Sequence, residues 1–161
     1  MNIGKGRMAD IVDPATRSRM MAGIRGKNTR PELLIRSALH KAGFRFRLHD
    51  RRLAGVPDIV LPKYEAVIFV NGCFWHRHSG CRYASTPSTR PEFWRVKFEE
   101  NIQRDERNRR LLLDAGWRVF TIWECCLRHS PVIMIDELIR LLKAQGREGC
   151  ELPRDPIIMP K

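Results

Sequence analysis

No run in this sequence is long and apolar enough to cross a bilayer, so a helical membrane protein is not expected. The opening stretch, Met1 to Met8, lacks the apolar segment of a secretory signal, which points to the cytosol or to the nucleoid of a bacterial cell. Acidic residues are scarce, 18 against 30 basic ones, and the resulting formal charge of +12 favours a polyanionic partner through the long-range field and counterion release. That imbalance narrows the partner rather than the activity, since ribosomal proteins and simple nucleic-acid-binding modules share it. Cysteines are few, odd in number and unevenly spaced: Cys73, Cys81, Cys125, Cys126 and Cys150. In a reducing compartment, with histidines nearby, they suggest a metal before a disulfide. Internal repeats and a second domain are also lacking, and 161 residues suit one core. The apolar fraction of 43% excludes wholesale disorder.

What is present reads as an α/β chain. Residues 1–28 form a basic arm with at most a short helix around Ala15–Ala22; residues 1–7 read as a disordered leader, with Met8 as an alternative start. Thr29-Arg30-Pro31-Glu32 predicts a helix start, with Thr29 as cap, Pro31 in the first turn and Glu32 completing a capping box. Leu33, Leu34, Ala38 and Leu39 are its expected buried face, and Gly43 its end. Phe44–His49 alternates apolar and polar residues as a half-buried strand does. Val56–Leu61 and the continuous apolar run Ala66–Val70 predict two more strands, the latter central. Asn71–Arg90 reads as loop, Pro91–Ala115 as helix, Trp117–Trp123 as strand and the segment from Ser130-Pro131 as a last helix. The residues after Gly146 are expected to be irregular. Helix, three strands, helix, strand, helix implies helices packed on a mixed sheet, with the working domain at 29–145 and a tail at 146–161.

Two groups of residues carry chemistry. Cys73, His78 and Cys81 share one loop, and Cys125 ends a later strand, a thiolate and imidazole set suited to tetrahedral structural zinc. Paired C-x2-C units are absent, Cys126 competes for the fourth place, and Cys125 and Cys126 also make sense as small buried hydrophobes. Pro57-Asp58 before a buried strand matches the first half of the PD-(D/E)xK nuclease pattern, in which a carboxylate holds Mg²⁺. The second half is missing: Glu65-Ala66-Val67 has the acid without the lysine, and an aspartate at a strand start is also an ordinary turn former. The adjacent aromatics Phe74-Trp75 suit base stacking, and His76 titrates in a range suited to accepting a proton from water.

The string Val67-Ile-Phe-Val-Asn-Gly-Cys-Phe-Trp-His76 resembles the very-short-patch-repair (Vsr) mismatch endonucleases. So do Ala15-Thr-Arg-Ser-Arg-Met-Met21, Arg90-Pro-Glu-Phe-Trp94, Asn101-Ile-Gln-Arg-Asp105 and the stretch from Gly116 to Cys125. The resemblance runs from about Met8 to Leu142. It implies a restriction-endonuclease-like α/β/α core with a structural zinc, acting on double-stranded DNA to nick one strand at T:G mismatches left by 5-methylcytosine deamination. By the same resemblance, Asp58 is the Mg²⁺-binding carboxylate and Val70 the residue whose backbone carbonyl completes that site. His76 is the general base, Asp105 the acid that orients it, and Glu32 a supporting glutamate. Cys73, His78, Cys81 and Cys125 are the zinc ligands. Phe74, Trp75 and Trp94 form an aromatic wedge beside the mismatch, with Met21 entering from the arm. A monomer is expected; whether other mismatch-repair proteins recruit it is not legible in a single sequence. Asn71 stands where some members carry a second histidine, and the His78–Cys81 loop is one residue longer than in some relatives.

Bland readings stand beside these. Glu32 is fully accounted for as a capping residue, Asp105 as a solvated helical acid, and Trp94, spaced helically with Phe98, as core; Phe93 competes with it. Arg104, Arg107, Arg109 and Arg110 read as phosphate-facing or simply solvated. A non-catalytic zinc-dependent nucleic-acid-binding module explains the charge, cysteines and aromatics, but gives no reason for Asp58, His76 and Asp105.

Overall fold

The computed structural model describes Asp13, Ala15, Thr16, Arg19, residues 26–144, Gly146 and residues 149–153; Met21 and most of the basic arm lie outside them. Among the described residues the elements run α1 (Arg30–Lys41), β1 (Arg47–Leu48), β2 (Ile59–Leu61), β3 (Ala66–Asn71), α2 (Pro91–Asp114), β4 (Arg118–Trp123), α3 (Glu124–His129), α4 (Pro131–Lys143) and β5 (Glu151–Leu152). The five strands form one mixed sheet in the order β1-β2-β3-β4-β5. β1 with β2 and β2 with β3 are antiparallel, while β3 with β4 and β4 with β5 are parallel. The parallel β3–β4 pair requires a long crossover, and α2 supplies it.

Strand periodicity sorts the side chains between two faces. Ile59, Leu61, Ala66, Ile68, Phe120 and Ile122 point to the face covered by Ile35 and Leu39 of α1, Leu127 of α3, and Leu138 and Leu142 of α4. Val60, Val67 and Val119 point the other way and meet Leu112 of α2. The first face is a broad dry core. The second is a narrow contact near the end of α2, which leaves the rest of that helix standing off the sheet.

Three expectations change. The buried face of α1 is not Leu33 and Leu34, which are 50% and 40% exposed, but Glu32, Ile35, Arg36 and Leu39. The inward charges are mutually paired, Arg36 Nη2 donating to Glu32 Oε2 at 2.6 Å, so they are buried without a bare charge. Glu124–His129 is a short helix rather than the plain end of a strand. The tail expected to be irregular adds strand β5, because Leu152 fills the core at 1% exposure and Cys150 accepts the Thr121 N–H. Gly149 is obligatory there: a Cβ would sit 1.9 Å from the Val119 carbonyl oxygen.

Candidate active site and metal centre

Asp58 precedes β2 on a tightly restrained turn. Val56, two residues earlier, holds φ at +51°, a left-handed conformation that strains a β-branched residue. Gly55, at φ +73°, lies against Asn108 of α2, where a Cβ would come within 3.0 Å of Asn108 Nδ2. The turn is thus wedged between the sheet and α2. Asp58 Oδ2 accepts the Val70 N–H at 2.8 Å, which fixes the carboxylate against the C-terminal end of β3. In an extended strand a residue's N–H and C=O share one edge, so the Val70 carbonyl lies on the Asp58 side as well. Burial pushes the Asp58 carboxyl up to about 6, with Glu32 adding to the rise and the Val70 N–H, Arg36 and His76 opposing it.

Glu32 closes the capping box of α1: its Oε1 accepts the Thr29 N–H at 3.3 Å, and Thr29 Oγ1 accepts the Glu32 N–H at 3.4 Å. It is only 3% exposed, and its other oxygen takes the Asn28 N–H and the Arg36 guanidinium. The capping role expected of Glu32 is thus present, and its second oxygen is engaged as well. His49 stands between Glu32 and Asp58, 3.8 Å from each carboxylate. Burial and Arg36 lower its pKa, with Glu32 partly opposing them.

His76 follows β3 on the loop and points at α2, where its Nδ1 meets Asp105 Oδ2 at 2.5 Å. Burial raises the Asp105 carboxyl, but His76 and Arg104 outweigh it and hold the group below its ordinary range. One turn earlier on the same helix face, Asn101 is 5% exposed and donates to the Trp75 carbonyl at 3.0 Å. Asn101 and Asp105, spaced i and i+4, thus hold consecutive residues of the loop. Asn101 was not among the residues singled out by sequence, although it opens the Asn101-Ile-Gln-Arg-Asp105 motif.

The aromatics assemble beside this pair. The Phe74 ring centroid lies 5.1 Å from Trp75, 5.4 Å from Trp94 and 5.2 Å from Phe98, all edge to face. Phe98 is the buried base at 6% exposure, Trp94 stacks on it, and Phe93 reaches out at 56% exposure. A cleft of about 490 Å³ opens at the His76–Asp105 pair, lined by Asn71, His76, Arg104, Asp105, Asn108 and Arg109 among others. It occupies the gap that α2 leaves over the sheet. A larger depression, about 950 Å³, lies at the opposite end of β3 and β4 around Lys63, Leu113 and Leu142; it brings no imidazole or thiol together.

Behind the loop, Cys73, His78, Cys81 and Cys125 present ligand atoms that all lie within 4.8 Å of one another. His78 Nδ1 is 3.7 Å from Cys73 Sγ and 3.3 Å from Cys125 Sγ, and its ring is stacked on Trp123 at 4.3 Å. Bonds of about 2.3 Å to a central zinc would put tetrahedral sulfurs roughly 3.8 Å apart, so the cluster has the right size and donor chemistry. Burial raises the Cys73 thiol strongly and pushes that of Cys125 up to about 11, so a cation is needed to hold them as thiolates. Cys126 turns away, donating to the Trp123 carbonyl at 2.8 Å. Tyr83 anchors the far end of the loop to α3 through its contact with His129 at 2.9 Å.

The family model for DNA mismatch endonuclease Vsr matches residues 9–82. The chain is 48% identical over 118 residues to the type II nicking enzyme V.XorIIP of Xanthomonas oryzae, covering 73% of this chain and 86% of that one. It is 46% identical over 136 residues to the DNA mismatch endonuclease Vsr of Escherichia coli, covering 84% and 86%. With the type II nicking enzyme V.NmeAIP of Neisseria meningitidis the identity is 40% over 138 residues, covering 84% and 98%. This breadth of similarity places the chain in the Vsr family of DNA mismatch endonucleases.

Proposed function

We propose that the protein is a Mg²⁺-dependent endonuclease that nicks one strand of duplex DNA at T:G mismatches, in very short patch repair after deamination of 5-methylcytosine. The observation that carries the reading is the His76–Asp105 pair at 2.5 Å, with His76 on the loop that leaves the strand end where the Val70 N–H holds Asp58. In this reading the catalytic domain, of the restriction-endonuclease type, comprises residues 29–145 with strand β5 added from the C-terminal segment, and residues 1–28 are the arm that carries Met21. The enzyme acts as a monomer on the bacterial nucleoid.

The Asp58 carboxylate and the Val70 carbonyl would hold the cation. A half-buried carboxyl raised to about 6 is one whose ionised form a cation would stabilise, so the residues fit the group. The chemistry such a cation would supply is neutralisation of charge at the scissile phosphate. His76 takes the proton from the attacking water at Nε2, since Nδ1 is engaged by Asp105. Asp105 holds the ring in that tautomer and offsets the charge that His76 gains, and Glu32 supports the carboxylate side. Phe74, Trp75 and Trp94, half-buried and backed by Phe98, are rigid enough to enter a base step, at a cost of a few kcal/mol in unstacking. A mismatched step is already distorted and easier to open, which contributes selectivity. Zinc at Cys73, His78, Cys81 and Cys125 staples the loop that carries His76 and the wedge.

Asp58→Ala tests the reading. The variant is expected to bind a T:G duplex as the wild type does, in a mobility-shift assay, and to leave both strands intact with Mg²⁺ present. Wild-type nicking by this variant would remove Asp58 from the reaction.

A further inference from the structure

Asp58 is gripped on one side by β3, and the side chain facing it from the other side is His49, which the reading above leaves unused. His49 follows β1 with φ at +49°, in the left-handed region. Its Nδ1 lies 3.8 Å from Asp58 Oδ1, and its Nε2 lies 2.9 Å from Arg36 Nη2. A guanidinium nitrogen can only donate. The Nε2 lone pair therefore accepts this hydrogen bond, the ring is neutral, and its one proton sits on Nδ1, the atom that faces Asp58.

Arg36 is itself fixed. It is 8% exposed, its Nη2 also donates to Glu32 Oε2 at 2.6 Å, and its Nη1 donates to Asn28 Oδ1 at 2.6 Å. The helix cap thus holds Glu32, Glu32 holds Arg36, and Arg36 sets the tautomer that His49 shows to Asp58. The ligand atoms of Glu32, His49 and Asp58 lie within 4.8 Å of one another, a spacing a metal ion also satisfies. The guanidinium decides against a metal shared by all three: Nη2 already bridges Glu32 Oε2 and His49 Nε2, so a cation occupies that place within the protein itself.

We infer that His49 is a positioning residue for the proposed hydrolysis, held by Arg36 with its N–H on Nδ1 so that it orients Oδ1 of Asp58 while the Val70 N–H orients Oδ2. The inference rests on the reading of Asp58 as the cation-binding carboxylate. At 3.8 Å the contact is longer than a hydrogen bond, and contacts of this kind tighten once substrate is in place.

Asparagine is the informative replacement, because its Nδ2 lies where Nδ1 of histidine lies and it tolerates a positive φ. Glutamine carries its amide out to the Nε2 position instead. His49→Ala should raise the Mg²⁺ concentration for half-maximal nicking about tenfold, the usual size of an outer-sphere loss. His49→Asn should restore most of it and His49→Gln little. Independently of nicking, the ¹⁵N spectrum of histidine-labelled protein in magnesium-free buffer, assigned with His49→Asn, should show His49 neutral and protonated at Nδ1 at neutral pH. A proton on Nε2, or on both nitrogens, would overturn the inference. So would wild-type Mg²⁺ dependence in His49→Ala, rescue by glutamine rather than asparagine, or a Mn²⁺-soaked crystal with the ion on a His49 nitrogen. Nicking by Asp58→Ala would sink the role of Asp58 and leave the tautomer result standing, so the two failures are distinguishable.

Discussion

Asp58 combines opposing demands in one side chain. In the role proposed for it, it has to be ionised to hold a cation, yet its side chain is only 18% exposed and its carboxyl is raised from 3.8 to about 6, chiefly by burial. A folded-state value above the unfolded one means that the native protein binds more protons across that interval. The associated stability is present below about pH 4 and is lost as pH rises through about 6. The loss at neutral pH is on the order of 3 kcal/mol without a bound cation. Asp58→Asn should therefore be more stable than the wild type at pH 7 in magnesium-free buffer, by a few kcal/mol, and equal to it near pH 3. Urea unfolding at the two pH values measures this; an equal difference at both would mean that the carboxylate charge is not the cause. Added Mg²⁺ should narrow the gap at pH 7 by stabilising the wild type alone.

At the scale of elements, the site sits where two restrained segments meet the end of β3: the wedged turn before Asp58 and the loop that α2 holds through Asn101 and Asp105. The loop has little core of its own beyond Cys73 and the aromatic cluster, so the cysteine–histidine group is its main tie to β4 and α3. Cys81→Ser should abolish stoichiometric zinc and lower the melting temperature by roughly 5–10 °C, the size of a few kcal/mol in a domain of this length. Metal analysis and a thermal scan on the same sample check it, and an unchanged metal-to-protein ratio would count against the staple. α4 is tied differently. Arg118 of β4 donates to the Leu141 and Leu142 carbonyls, closing groups that a helix C-terminus otherwise leaves unpaired.

Much of this frame was legible in the sequence because local rules dominate there. The capping box at Thr29, the apolar run of β3 and the Gly116 boundary of α2 each follow from propensity and periodicity. β5 and α3 were not legible, since a two-residue strand and a six-residue helix owe their form to tertiary contacts such as Leu152 in the core. Arg36 and His49 escaped for a related reason. A charged residue in an amphipathic helix reads as outward-facing, and only the fold brings Glu32, Arg36, His49 and Asp58 together. Among the cysteines, Cys125 and Cys126 are adjacent in sequence and differ only in which way the first turn of α3 points them.

For the whole molecule, the charge of +12 meets an uneven architecture. One face of the sheet is closed by α1, α3 and α4, whereas α2 stands partly clear of the other and carries Arg104, Arg107, Arg109 and Arg110 along the cleft side and beyond. No helix among the described residues is long and apolar enough to cross a membrane. Binding to duplex DNA should weaken steeply with salt, and Arg109→Ala should reduce the slope of log K against log salt by about one if that arginine neutralises one phosphate. A slope identical to that of the wild type would place Arg109 off the DNA path.

Cleavage of a duplex labelled separately on each strand, with a single T:G pair in one sample and T:A in the other, tests the central claim most directly. With Mg²⁺ the wild-type protein should cut one strand of the T:G duplex at one position, leave the other strand and the T:A duplex intact, and lose all cleavage when excess chelator replaces Mg²⁺. Equal cutting of T:A and T:G, cutting of both strands, or undiminished cutting under chelation would contradict the account.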